Sequence, residues 1–390
     1  MTTDTLSLAV NWNYPTPIKF GPGRIAELAD VCKAAGITRP LFVTDAALAK
    51  LPIAIAALQS LKDAGLAAAL CSDIKPNPSA ANVIDGVALY KKGGHDGVVA
   101  FGGGSALDAG KAIAFMSGQS RPLWDFEDAG DNWTRADPRG IAPTVAIPTT
   151  AGTGSEVGRV SVITDEETHT KRLIFHPRIM PVAVIADPEL TVGVPSHLTA
   201  ATGMDALAHC LEAYCVQSFH PMADGIAIEG LRLIRAWLPV ACRDGANIEA
   251  RAKMLAAATM GAVAFQKGLG AIHSLAHPVG TLYGLHHGLL NGVMMPYVLD
   301  FNRSAIEPKM AILAQSLGLP QPGFDGVAAW IDGLCREVGI PRTLGELGVD
   351  ASKADQIVRA ALVDPTAPTN PIPLEAAAVR ALFLKALKGS

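Results

Sequence analysis

Five of the chain's ten histidines fall in three short segments: Asp205-Ala206-Leu207-Ala208-His209, Gly270-Ala271-Ile272-His273-Ser274-Leu275-Ala276-His277-Pro278 and Leu285-His286-His287-Gly288. Imidazole is a sparse group that binds divalent metal at neutral pH, so its concentration in otherwise apolar sequence points to a metal site. Asp205 and His209 are four residues apart in helical sequence, which puts both side chains on one face about one turn apart. His273 and His277 repeat that spacing. Pro278, Gly280 and Gly284 are expected to bend or break the helix and return the chain, with His287, toward the same space. One carboxylate and three imidazoles make a four-ligand set for Fe2+ or Zn2+ with room for a substrate oxygen. A lone histidine on an apolar helix is more often a hydrogen-bonded core residue, but here the pair recurs and a third cluster follows. A purely structural zinc site would more commonly use cysteine and close every position.

A second candidate site lies in the first half. The strand-like run Gly97 to Phe101 leads into Gly102-Gly103-Gly104-Ser105 and then into helical sequence from Ala106 to Met116. Glycines at the carboxyl end of a strand let the backbone turn sharply and approach a ligand, while the following helix offers unpaired N–H groups to an anion, which is the physics of a pyrophosphate site. The standard expressions fail: a GxGxxG frame from Gly102 meets Leu107, and a P-loop frame from Gly104 reaches Gly110-Lys111 too late and is followed by Ala112. Two neighbours support the ligand reading. Asp45 ends the run Pro40 to Asp45, where a carboxylate accepts hydrogen bonds from ribose hydroxyls and favours NAD over NADP. Thr149-Thr150-Ala151-Gly152-Thr153-Gly154-Ser155-Glu156 follows the run Thr144 to Pro148 with small hydroxyl residues suited to phosphate and nicotinamide contacts.

The elements that must position these residues alternate in type. Strands are expected at 40–45, 67–73, 97–101, 144–148 and 182–187, with helices at 46–64, 80–92 and 106–116 between them. Such alternation implies right-handed βαβ units around a mainly parallel sheet, with the ligand crevice at the carboxyl ends of the strands. Beyond Asp187 the sequence turns Ala/Leu/Met-rich, with helices expected at 199–216, 222–242, 249–265 and 374–387. The expected architecture is therefore an amino-terminal α/β nucleotide-binding domain over 1–190 and a carboxyl-terminal helical metal-binding domain over 191–390. The boundary falls where Pro188 and Pro195 interrupt regular structure.

A chain of 390 residues with 49 % hydrophobic and 17 % charged content can bury two cores. The net charge of -4 and the absence of long Lys/Arg runs argue against a nucleic-acid partner. The opening residues lack a signal-peptide pattern and no segment has a spanning run of apolar residues, so a cytoplasmic protein without a membrane partner is expected. Cys32, Cys71, Cys210, Cys215, Cys242 and Cys335 show no CxxC spacing and read as reduced core thiols.

The motifs taken together resemble the iron-containing (group III) alcohol dehydrogenases. The resemblance runs from Phe20-Gly21-Pro22-Gly23 through Val43-Thr44-Asp45, Pro76-Asn77-Pro78, Gly102 to Asp108, Pro148 to Glu156 and Gly203 to His209, to His273 to Gly288 and the helical carboxyl end. It implies a dehydroquinate synthase-like two-domain architecture, homodimers or larger assemblies, and NAD with Fe2+, Zn2+ being the alternative metal. It makes Asp205, His209, His273 and His287 the metal ligands and His277 the non-ligand histidine near nicotinamide and substrate. It makes Asp45, Asn77, Gly103, Gly104, Ser105, Asp108, Thr149, Thr150, Thr153 and Lys171 cofactor contacts, with Val162 close by. His286 receives no role.

The implied activity is reversible hydride transfer between a small alcohol carbon, or that of a hydroxy acid, and nicotinamide, with His277 relaying the proton to solvent. A metal-independent maleylacetate reductase is disfavoured because all four ligand positions carry suitable residues. A dehydroquinate synthase-like lyase would also combine NAD with a divalent metal, but would form no net NADH. A noncatalytic metal- or nucleotide-binding protein is the alternative of another class. Arg159 offers a carboxylate partner for a hydroxy acid such as 4-hydroxybutyrate, against the commoner reading of a surface or salt-bridged arginine.

Overall fold

The computed structural model describes residues 10–12 and 16–389 except His169. The chain divides into two compact units, one comprising the described residues up to Thr150 with Gly154–Val192, the other Ala151–Thr153 with the described residues from Gly193 onward.

In the first unit, strands and helices alternate: β1 (Val10–Trp12), β2 (Ile18–Phe20), α1 (Leu28–Ala34), β3 (Pro40–Asp45), α2 (Pro52–Asp63), β4 (Ala69–Ile74), α3 (Ala80–Gly93), β5 (Gly97–Gly102), α4 (Gly104–Met116), β6 (Thr144–Pro148), β7 (Val160–Asp165), β8 (Thr170–Phe175) and β9 (Ala183–Ala186). The main sheet has the order β1-β2-β9-β6-β5-β3-β4. Every neighbouring pair in it is parallel except β1 with β2. Every residue of β5 and β6 is buried, as in a strand covered by helices on both faces. Phe42 and Phe101 pack at 5.2 Å within a core that includes Leu28, Leu61, Val99, Val145, Ile147 and Ile185.

The strand order decides where a ligand can sit. From β3 the chain steps outward to β4, then returns across β3 to β5 and continues the other way through β6. That reversal is a topological switch point, and the loops after β3 and β5 diverge from it. Asp45 closes β3 and Gly102 closes β5, so the sequence-derived Asp45 and the glycine loop that runs on from Gly102 flank the switch. The hairpin β7–β8, in register Val160 with Phe175 to Asp165 with Thr170, stands outside the main sheet and was not expected from the sequence. Neither were β1 and β2.

The second unit is helical among its described residues: α5 (Ser196–Cys215), α6 (Pro221–Arg243), α7 (Ile248–Ala264), α8 (Ala271–Tyr283), α9 (His287–Ser316), α10 (Gly323–Glu337), α11 (Ala354–Leu362) and α12 (Ala376–Lys388). Helix α5 is its axis. It is buried from Thr199 to Cys215 at nearly every position and packs against α6, α7, α8 and α9. Of the three residues expected to bend or break the helix, Pro278 and Gly280 lie inside α8, which continues to Tyr283. Pro278 forfeits only the N–H bond to the carbonyl four residues back. The helix ends at Gly284, whose φ of +66° is the left-handed conformation that stops a helix. Among the described residues no single helix is long and apolar enough to cross a membrane.

Candidate metal centre and nucleotide loop

Helices α5, α8 and α9 bring the sequence-derived histidines together. Asp205 and His209 lie one turn apart on α5, His273 lies in the first turn of α8, and His287 is the first residue of α9. Asp205 Oδ1 is 3.4 Å from His287 Nε2, 3.7 Å from His209 Nε2 and 3.8 Å from His273 Nε2. The ligand atoms of Asp205, His273 and His287 all lie within 4.8 Å of one another, and the His209 ring stacks on His273 at 4.8 Å between centroids. Gly288 makes the approach of α9 possible. A Cβ there would collide with the Ala201 carbonyl oxygen and lie 2.9 Å from Asp205 Cβ.

His277, one turn along α8 from His273, stands beside this cluster. Its ring stacks on His287 at 5.1 Å, and its Nδ1 is 2.8 Å from Asp364 Oδ2. Asp364 also accepts from the Thr366 N–H and hydroxyl. Burial works against the Asp364 charge, but His277 and Thr366 outweigh it and its pKa is lowered. His286 is exposed, and its carbonyl accepts the Leu290 N–H at the start of α9.

Three residues at this centre were not anticipated from the sequence. Asp364 is the first. Glu212 is the second: it continues the α5 face of Asp205 and His209, receives the His273 Nδ1–H at 2.5 Å, and receives the Ile272 N–H at 2.7 Å. Asn291, one turn into α9 from His287, is the third, with its amide nitrogen 2.8 Å from Asp205 Oδ1. The spacing Asp-x3-His-x2-Glu on α5 and His-x3-Asn on α9 was the available signal for Glu212 and Asn291. Asp364 had no local signal, because its partner lies in a distant helix.

The donor set fits a divalent cation. Burial drives the pKa of His209 down to about 4, so that ring is neutral at pH 7 and presents a lone pair. Burial also disfavours charge on His273, yet Glu212, Asp205 and Asp364 overcome it and raise the pKa, so the site favours a positive charge. One carboxylate and three imidazoles, nearly all buried, are the hard-to-borderline donors that Fe2+ and Zn2+ accept.

In the first unit, the loops after β4, β5 and β6 meet. The Asn77 N–H donates to Ser105 Oγ at 3.2 Å, and the Thr149 N–H donates to the Gly102 carbonyl at 3.0 Å. A Cβ on Gly103 would lie 3.2 Å from Thr150 Oγ1, and one on Gly102, at φ +149°, would lie 2.7 Å from Ala106 Cβ. Asn77 is the one non-glycine residue with positive φ among the described residues, at +54°. Asp45 Oδ1 accepts the N–H groups of Ala47 and Leu48, which fixes its carboxylate at the end of β3. Gly103 caps α4, whose first turn begins at Gly104 and Ser105 and presents the anion-binding end of a helix.

Asp108 is oriented differently from its neighbours. Its carboxylate accepts from Ser155 Oγ at 2.6 Å and the Val162 N–H at 3.2 Å, and pairs with the buried Lys111 at 3.1 Å. It ties α4 to the β7–β8 hairpin. Lys171 sits opposite Thr164 in that hairpin, and Thr153 belongs to the second unit. Arg159 is exposed, its guanidinium 5.8 Å from the Phe175 ring centroid. All six cysteines are free; burial lifts Cys32, Cys210, Cys215 and Cys335 to about 12 and Cys71 and Cys242 to about 11, so none offers a thiolate at neutral pH.

A parallel sheet with a glycine loop at its switch point, joined to a helical unit carrying a buried Asp/His cluster, defines a nucleotide-dependent metalloenzyme class. The profile of the iron-containing alcohol dehydrogenases matches residues 15–188 and that of the family's C-terminal domain matches residues 199–387, so the chain belongs to this family of oxidoreductases acting on CH–OH groups. It is 40 % identical to 4-hydroxybutyrate dehydrogenase of Cupriavidus necator over 95 % of this chain and 98 % of that one. The solved structure of a 1,3-propanediol oxidoreductase superposes with a TM-score of 0.89 at 35 % identity, covering 94 % of this chain and 97 % of the other. Sulfoacetaldehyde reductase from Bifidobacterium kashiwanohense, solved in complex with NAD+, gives 0.86 at 30 % identity, covering 97 % and 99 %.

Proposed function

We propose that this chain oxidises a small primary alcohol or hydroxy acid reversibly with NAD, holding Fe2+ through Asp205, His209, His273 and His287, with Zn2+ the alternative occupant. The observation that carries the reading is the convergence of these four side chains around Asp205 Oδ1 with His277 alongside. When bound, the metal supplies Lewis acidity at the alcohol oxygen and the nicotinamide supplies the hydride acceptor.

The chain's own groups do the positioning. Glu212 holds the proton of His273 on Nδ1 and so turns Nε2 toward Asp205. Asp364 does the same for His277, which leaves Nε2 of His277 to take the alcohol proton and pass it toward solvent. Asp45 is the ribose partner that favours NAD over NADP. Asn77, Gly103, Gly104, Ser105, Thr149, Thr150 and Thr153 are the phosphate and nicotinamide contacts, with Val162 and Lys171 beside them. Asp108 joins them as a cofactor contact, and its carboxylate also braces α4 against the hairpin.

The 40 % identity to a 4-hydroxybutyrate dehydrogenase supports a hydroxy-acid substrate. Arg159, held over Phe175, is then the candidate carboxylate partner. Small alcohols and diols are the alternative substrates. A cytoplasmic homo-oligomer is the proposed working form. The test is NADH formation by anaerobically prepared, Fe2+-loaded enzyme against short alcohols, diols and hydroxy acids, with Zn2+-loaded and chelated controls. Metal-dependent NADH production supports the reading, and the best substrate reports on Arg159. Silence across the panel with metal and NAD bound overturns it in favour of a lyase or a binding protein.

A further inference from the structure

Asn291 is fully buried, and its amide faces the centre of the Asp/His cluster. Nδ2 lies 2.8 Å from Asp205 Oδ1 and 3.2 Å from Nε2 of both His273 and His287, while Oδ1 has no hydrogen-bond partner among the described residues. Turning the amide over would set Oδ1 against the carboxylate oxygen, acceptor against acceptor. The observed orientation is therefore fixed by the cluster's electrostatics. An amide has two hydrogens, and this one meets three acceptors. A buried set of lone pairs that outnumbers its donors is short of positive charge.

We propose that Asn291 is a fifth residue of the metal centre: its amide gathers the lone pairs of Asp205, His273 and His287 in the absence of a cation and competes with the cation for them. The inference rests on the reading of those residues as ligands. The Nε2 lone pair of a histidine cannot serve an N–H donor and a metal at once, so cation entry breaks the contacts to His273 and His287. The contact to Asp205, whose carboxylate has further lone pairs, survives. An interaction made by the metal-free protein and lost in the loaded one stabilises the former and weakens binding by the same amount. Asn291 thus keeps the empty centre folded and lowers its affinity for metal. A merely structural Asn291 would support both forms equally.

The experiment compares wild-type protein with Asn291→Leu and Asn291→Asp, measuring Zn2+ and anaerobic Fe2+ affinity by chelator competition and the thermal midpoint with and without metal. Asn291→Leu should lower the metal-free midpoint more than the loaded one and tighten binding about three- to tenfold, the loss from the metal-free side of the one amide hydrogen shared between His273 and His287. Asn291→Asp, which replaces a donor by an acceptor, should tighten binding further. Unchanged or weaker binding in either variant, or an equal fall of both midpoints, overturns the proposal. Should Asn291→Leu fail to fold, Asn291→Asp decides alone by the same criterion. Failure of the wild type to bind either ion would instead overturn the ligand assignment, and this inference with it.

Discussion

Glu212→Gln changes one charge in a buried pair and almost nothing else in volume. In the native protein one carboxylate oxygen accepts the Ile272 N–H at 2.7 Å and the other accepts His273 Nδ1–H at 2.5 Å. Glutamine has one acceptor oxygen and one NH2, so one of these two donors must face another donor. If the amide faces His273, that ring loses its anchor and Nε2 is no longer held toward Asp205. Loss of a carboxylate behind a ligating histidine typically costs about 10- to 100-fold in metal affinity, which is about 1.4 to 2.7 kcal/mol. The donor left unpaired in the core subtracts about 1–3 kcal/mol from stability. Chelator competition with Zn2+, and with Fe2+ under anaerobic conditions, measures the first effect, and denaturant melts of the metal-free protein measure the second. A variant that loses stability but binds metal within twofold of wild type would refute the reasoning, because Glu212 would then be a packing group and not the orienting partner of His273.

Other perturbations separate roles within the same centre. His273→Ala should remove metal and activity together, whereas His277→Ala should keep the metal and lose turnover; metal analysis beside NADH assays shows whether the two differ. Gly288→Ala should separate α9 from α5, because its Cβ would collide with the Ala201 carbonyl and sit 2.9 Å from Asp205 Cβ. Overpacking of this kind costs about 1–3 kcal/mol, and chemical denaturation should show that loss together with weaker metal binding. The lowered pKa of Asp364 sets a pH dependence: its contribution to stability is complete above the unfolded value of 3.8 and is lost as pH falls below it toward the folded value. Asp364→Asn should therefore flatten the fall in stability between pH 5 and lower pH, read from urea midpoints.

The central strands were legible because burial on both faces forces a continuous apolar run, as in Val98-Val99-Ala100-Phe101 and Val145-Ala146-Ile147. The β7–β8 hairpin was not. Its first strand alternates half-buried and buried residues with serine and threonine among them, and carries no long apolar run. The histidines proposed as ligands were legible from residue type and, for His209 and His273, from i, i+4 spacing. The groups behind them were hidden because carboxylates and amides are common, and theirs become specific only through contacts 61 residues away for Glu212 and His273 and 87 for His277 and Asp364. Of the three expected breakers, Pro278 only weakens one turn through its missing N–H, whereas the left-handed Gly284 ends the helix outright.

His273 and His277 show how one helix can carry two kinds of histidine. They share α8, lie one turn apart, and each directs its Nδ1 at a carboxylate, so tautomer alone does not distinguish them. The difference lies in what each Nε2 meets. His273 is anchored from α5 by Glu212, the same helix that carries Asp205 and His209, and its Nε2 lies 3.8 Å from Asp205 Oδ1. His277 is anchored by Asp364, in the segment between α11 and α12, with its ring stacked beside that of His287. Its side chain keeps 14 % exposure against 2 % for His273. A buried imidazole with its lone pair aimed at a carboxylate is built to hold a cation, and a partly exposed one with a fixed tautomer is built to pass a proton. On the proposed reading, the division of labour on α8 is set by the two segments that supply the carboxylates, α5 for Glu212 and the stretch between α11 and α12 for Asp364, and not by the histidines themselves.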